Sequence, residues 1–149
     1  MIEELVKLIG QKNLKYGIEI YPPATPSEIT EFENKIGFPL PNDFKEFYSI
    51  CNGFWCNDDI FNIVPLSKIT EYSSDYGKNW FYFSEYMICS DLWGLRLNDL
   101  GNYEIFNFGY PNVVMSSSLI EFLQRFLQGG VFETGGLYDW QSELGMKGN

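Results

Sequence analysis

The stretch from Pro23 to Gly53, PATPSEITEFENKIGFPLPNDFKEFYSICNG, most constrains what this chain can fold into. It encodes two short amphipathic helices with start and stop signals. Thr25, Pro26 and Glu28 form a T-P-x-E capping box, in which Thr25 accepts from the amide of Glu28 while Glu28 reaches back. Pro26 falls at the first helical position, where its missing N–H costs nothing. Ile29, Phe32 and Ile36 then lie on one face, and Gly37 suits the left-handed cap that ends the helix. Leu40-Pro41 turns the chain into a second helix, with Phe44, Phe47, Tyr48 and Cys51 at i, i+3, i+4 and i+7. Gly53 is the expected stop.

The remaining chain reads as helix, strands, helix. Residues 2–12 carry Ile2, Leu5, Val6 and Ile9 on one stripe. Tyr16 to Tyr21 alternates and is read as extended up to Pro22-Pro23. Phe61 to Val64 and Trp80 to Ile88 are expected to be extended. Leu92 to Leu97 and Tyr103 to Phe108 form a hairpin around Asn98–Asn102. Val113 to Met115 is read as a last short strand. Leu119 to Phe126 is a helix with Leu119, Phe122, Leu123 and Phe126 inward, opened by Ser118 and Glu121. The implied class is α+β: a mainly antiparallel sheet with N-terminal helices and a C-terminal helix packed on it. A chain of 149 residues without repeat or linker suits one domain, 1–149. The tail from Val131 is too apolar to be free; Trp140 is expected to pin it to the core, with Asp139–Leu144 as a helical turn and Gly135-Gly136 allowing it to swing.

A capped helix ending in Gly-Phe, a Pro-Leu-Pro-x-x-Phe turn and an aromatic helix ending in Asn-Gly resemble the signature of the SUKH superfamily, the SMI/KNR-like domain. The residues that carry the likeness are Ile36, Gly37, Phe38, Leu40, Pro41, Phe44, Phe47, Asn52 and Gly53. Ile63-Val64-Pro65-Leu66 resembles the family's next strand, and Ser116–Phe126 its closing helix. The likeness spans roughly residues 23–128. It implies the SMI/KNR-like fold and a bacterial immunity protein that neutralises a toxin, often a nuclease, encoded nearby. The yeast cell-wall regulators of the family imply the alternative of a scaffold or regulatory module. The family's Gly-rich turn between middle strands is replaced here by Cys89-Ser90-Asp91-Leu92-Trp93-Gly94, with a single glycine, so no contact residue is carried over.

Composition narrows the chemistry. There is no histidine, which removes the commonest general base and every Ser-His or Cys-His nucleophile. Neither a Gly-x-Ser-x-Gly elbow nor a phosphate-cradling Gly-rich loop is present. Asp58-Asp59, Asp91, Asp99 and Glu104 are the carboxylates open to acid–base work; a glycosidase needs two of them facing each other across a cleft, and adjacent acids usually point in different directions into solvent. Catalysis is therefore not expected, nor a cofactor. Cys51-x4-Cys56 lacks the further ligands of a structural zinc site, so no metal is expected. Cys51 and Cys89 read as small buried hydrophobes. The odd count of 3 cysteines, with no signal peptide or membrane-spanning run, points to the cytoplasm.

Twenty acids against 10 bases give a formal net charge of −10. Such a field repels nucleic acid and anionic membranes and attracts a basic protein. With 18% aromatic residues, some rings must lie at the surface or line a groove. The segment Asn52–Asp59 brings Trp55, Asp58 and Asp59 together, and Glu71–Trp80, read as a loop or irregular helix, brings Glu71, Tyr72, Asp75 and Tyr76. With Asp91 at a strand start, these are the candidate partner-binding residues: aromatic anchors beside carboxylates for Arg or Lys. Charge reversal at Asp58-Asp59 is expected to weaken association with little loss of stability.

Overall fold

The computed structural model describes residues 1–12, 16–87 and 90–146. Its elements, in chain order, are α1 (Ile2–Gly10), β1 (Ile18–Ile20), α2 (Pro26–Ile36), α3 (Asn42–Ile50), β2 (Phe54–Cys56), β3 (Phe61–Ile63), α4 (Leu66–Ile69), β4 (Tyr76–Gly77), β5 (Trp80–Tyr86), β6 (Asp91–Leu97), β7 (Tyr103–Asn107), α5 (Leu119–Gly129) and α6 (Leu137–Glu143). The strands form one antiparallel sheet of 7, ordered β1-β2-β3-β5-β6-β7, with β4 added to β5. This is the α+β arrangement the sequence implies.

Local chemistry sets the helix ends. At α2 both arms of the capping box are present: Glu28 N–H donates to Thr25 Oγ1 at 3.1 Å and Thr25 N–H to Glu28 Oε1 at 3.0 Å. Gly37 closes the helix with φ 83°. The N–H of Glu121 donates to Ser118 Oγ at 3.4 Å and opens α5.

The core is an aromatic seam between the helices and one face of the sheet. Phe32 of α2 and Phe44 of α3 meet Phe81 edge-on, and Phe44 and Phe122 of α5 meet Phe83. Phe126 lies against Phe54 and stacks on Phe61. The buried cluster extends from Ile2 to Met146, so the tail belongs to the same core. Perpendicular ring pairs of this kind add to the burial of apolar area.

Several elements depart from the sequence reading. Phe54–Cys56, for which the sequence reading names no strand, is a strand that carries β1 on one side and β3 on the other. Ile63-Val64-Pro65-Leu66 is not one strand: β3 ends at Ile63, and Leu66 opens α4. Val113–Met115 forms no strand; a single bridge joins Ile105 to Ser116. Asp91 joins β6 and Phe108 lies beyond β7. The readings for Ile88 and Cys89 lie outside the described residues.

Gly53 does not stop α3, which ends at Ile50 with Cys51 as its cap. Its φ is 93°, and a Cβ there would stand 2.1 Å from the carbonyl oxygen of Ile63. The glycine lets the chain pass against β3. Its neighbour Asn52 accepts from the N–H of Leu66 at 3.0 Å, which satisfies an orphan amide at the start of α4. Gly135-Gly136 is likewise no swivel. Gly136 is buried, and a Cβ on it would meet the Gly129 carbonyl at 2.5 Å.

Candidate functional site: an acidic, aromatic cavity on the open sheet face

Strand periodicity points Phe54, Phe61, Ile63, Phe81, Trp93, Leu95 and Ile105 into the core. The residues between them face away from the main helices. On β2 and β3 these are Trp55 and Asn62, which pair across the strands. On β5 and β6 they include Tyr82, Leu92 and Arg96.

β5 contains a bulge between Tyr82 and Ser84, whose partners on β6 are the adjacent Gly94 and Trp93. Strict alternation from Phe81 would send Glu85 into the core. The extra residue resets the phase, so that Glu85 pairs with Asn62 on one side and Leu92 on the other. Asn62 Nδ2 donates to Glu85 Oε1 at 2.9 Å and fixes the carboxylate over the sheet.

The segment after β3 flanks this face, with α4 packed against α2 and β5. α4 is anchored from below by Leu66 and Ile69, each 1% exposed. Its other side and the turn behind it bring Lys68, Glu71, Tyr72 and Asp75 to the rim. Together with Tyr21, Trp55, Asn62, Tyr82, Glu85 and Leu92 they enclose a cavity of about 370 Å³. Lys68 is the one cation among its lining residues, 3.5 Å from Glu71. Burial raises the Asp75 carboxyl above its ordinary value, and the nearby charge of Glu85 adds to the shift, against a hydrogen bond from Ser74. Burial and the charge of Asp75 also raise the Tyr82 hydroxyl. Burial and Glu19 do the same for Tyr21.

Of the eight candidate residues, Trp55, Glu71, Tyr72 and Asp75 meet in this cavity. The other four lie elsewhere. Tyr76 packs half-buried against the core in β4. Asp91 accepts from Asn107 Nδ2 at 2.7 Å and from the Tyr138 hydroxyl at 2.6 Å, so it ties the tail to the sheet. Asp59 accepts from the N–H of Val131 at 3.1 Å. Asp58 is exposed beside it. The expectation that Asp58-Asp59 reversal spares stability is corrected for Asp59, because that carboxylate holds the start of the tail. Trp140 is 3% exposed, as a pin on the core should be.

Tyr21, Tyr82 and Glu85 line the cavity without having been singled out in the sequence. The signal for Glu85 was a lone acid inside the aromatic run WFYFSEYMI. Cys51 and Cys56 are buried thiols; burial pushes each up to about 11. Among the described residues no three or more His, Cys, Asp or Glu side chains are grouped as metal ligands would be. No helix among them is long and apolar enough to cross a membrane.

The fold and the site define an α+β domain with helices on one sheet face and an acidic, ring-lined hollow on the other. The model of the SMI1/KNR4 family (SUKH-1) matches residues 23–125, well over half of the chain. The protein belongs to that family. It is also similar to the uncharacterized protein YnaB of Bacillus subtilis (strain 168), with 45% identity over 51 residues, or 34% of this chain and 35% of that protein. The chain therefore covers about a third of YnaB's length.

Proposed function

We propose that this is a non-enzymatic protein-binding domain of the cytoplasm, an immunity protein that neutralises a nuclease toxin by covering the toxin's basic surface. The observation that carries the reading is the cavity on the open sheet face, where Trp55, Tyr72 and Tyr82 stand among Glu71, Asp75 and Glu85. Rings supply rigid apolar contact, and carboxylates supply the opposite charge to a nucleic-acid-binding surface. Strands hold Trp55, Tyr82 and Glu85, so these three lose little order on binding, while the turn after α4 carries Glu71, Tyr72 and Asp75. Neither a nucleophile nor a base is required of the site; occlusion alone would stop the toxin.

The test is co-expression with the basic domain encoded by the neighbouring gene. The expected result is rescue of growth and a stable complex with 1:1 stoichiometry, whose association slows as salt rises. A neighbour that is neither toxic nor captured overturns the reading. Several weak partners in place of one tight one would favour the scaffold role of the yeast regulators.

A further inference from the structure

The open sheet face already contains one arginine held between a ring and a carboxylate. The guanidinium of Arg96 lies 4.5 Å from the centroid of Phe106, and its Nε donates to Glu104 at 3.0 Å. Phe106 in turn lies against Tyr82, with ring centroids 6.0 Å apart. On its other side Tyr82 forms a wall of the cavity. There the same components recur: rings from Trp55 and Tyr82, and carboxylates from Asp75 and Glu85. What differs is the cation, because Lys68 stands on the rim beside Glu71.

We propose that this cavity receives a single arginine side chain of the partner protein, stacked on Trp55 and Tyr82 and paired with Asp75 and Glu85. The inference deepens the reading above and rests on it for the identity of the partner. Four physical arguments select arginine. First, a volume of about 370 Å³ accommodates one long side chain with room for water. Second, a planar guanidinium stacks on rings while its edge meets carboxylates, which an ammonium does less well. Third, the site is prepared before binding. Tyr82 is buttressed by Trp80 at 5.2 Å as well as by Phe106, and Glu85 is oriented by Asn62. Fourth, Asp75 is kept partly out of water near a like charge, an arrangement that an incoming cation relieves.

The experiment titrates the full chain with Nα-acetyl-arginine methylamide and follows backbone amides and the Trp55 indole N–H by NMR. The probe is expected to shift the signals of Trp55, Tyr82, Asp75 and Glu85. The citrulline analogue, with the same shape and no charge, should shift none of them, and the lysine analogue should bind more weakly. Asp75→Asn should weaken the arginine probe about fivefold, as loss of one partly exposed charge partner does. Trp55→Leu should weaken it by about the same factor through loss of the stacking face. Equal shifts from arginine and citrulline, or shifts confined to another surface, would overturn the proposal. So would free L-arginine binding more tightly than the blocked probe, which would make this a metabolite pocket. Its failure is separable from that of the immunity reading. A probe that binds here while no toxin is captured leaves the arginine site standing. A toxin captured at full affinity by both variants removes the arginine site and leaves the immunity role.

Discussion

The Tyr138 hydroxyl donates to Asp91 Oδ2 at 2.6 Å and so fastens α6 to the first residue of β6. Next to it, the indole N–H of Trp93 donates to Gln141 Oε1 at 2.6 Å. Two buried or half-buried polar pairs thus hold the tail in register over the sheet, and the apolar contacts of Leu137 and Trp140 fill the space around them. Tyr138→Phe leaves Asp91 with one partner fewer in a partly dry setting. It should lower the unfolding free energy by about 1–2 kcal/mol in urea titration. Binding at the cavity should be unchanged, since neither residue lines it.

Phe44 is fully buried and meets Phe81, Phe83 and Tyr103 edge-on, with centroids 6.0, 5.1 and 5.5 Å away. Two strands, β5 and β7, converge on that ring. Phe44→Ala should cost about 3–5 kcal/mol in the same titration, and Phe44→Leu, which refills most of the hole, about 1.5 kcal/mol or less. A small loss from the alanine variant would mean that α3 is not packed on β5 and β7 through this ring.

These two sites also show which features a sequence displays. The helix pair around Phe44 is written locally: the capping box of α2 and the apolar spacing of α3 lie within one stretch, and the structure forms both. The Tyr138–Asp91 pair spans 47 positions, and no local pattern announces it. The same division runs through the candidate site. Glu71, Tyr72 and Asp75 lie close together in the chain, so their shared position on a turn was legible. Trp55 joins them because the pairing of β2 with β3 sets it beside Asn62 on the same face. Tyr82 faces the cavity by alternation from Phe81, but Glu85 reaches it only because a bulge changes the phase of β5, which depends on pairing with β6. Asp91 and Asp59 had the right chemistry but were already engaged by the tail. An exposed acid and an acid that accepts a distant N–H look identical in sequence.

Asp58 and Asp59 give a direct check on that point. Asp59 accepts from Val131 N–H, while Asp58 is exposed. Asp59→Ala should destabilise the fold by about 1.5–3 kcal/mol, the range for a hydrogen bond to a charged acceptor. Asp58→Lys should stay within about 0.5 kcal/mol of the parent, as surface changes do. Paired thermal melts would separate them, and equal behaviour of the two variants would contradict the assigned contact.

Cys51 and Cys56 are buried, and each thiol is pushed from its ordinary 9.0 up to about 11. The reactive species is the thiolate. Both should resist alkylation at pH 8 in the folded protein and react after unfolding. The linkage has a definite sign. Between pH 9 and 11 the unfolded thiols lose protons that the folded ones retain, so stability should fall as pH rises through that window. Cys51→Ala and Cys56→Ala together should flatten that decline.

Asp75 displays the tension expected of a binding group. Burial, and then Glu85, raise its folded pKa above 3.8. The folded protein therefore binds this proton more tightly than the unfolded chain does. As pH rises from 3.8 through the folded pKa, the unfolded chain gives up the proton first, and this group's contribution to stability declines. At neutral pH the ionised carboxylate is thus a small liability of the free protein. Asp75→Asn should leave thermal stability at pH 7 equal or slightly higher, while weakening the basic partner. A loss of stability in that variant would show that Asp75 serves the fold, whereas unchanged affinity would show that the cavity serves nothing.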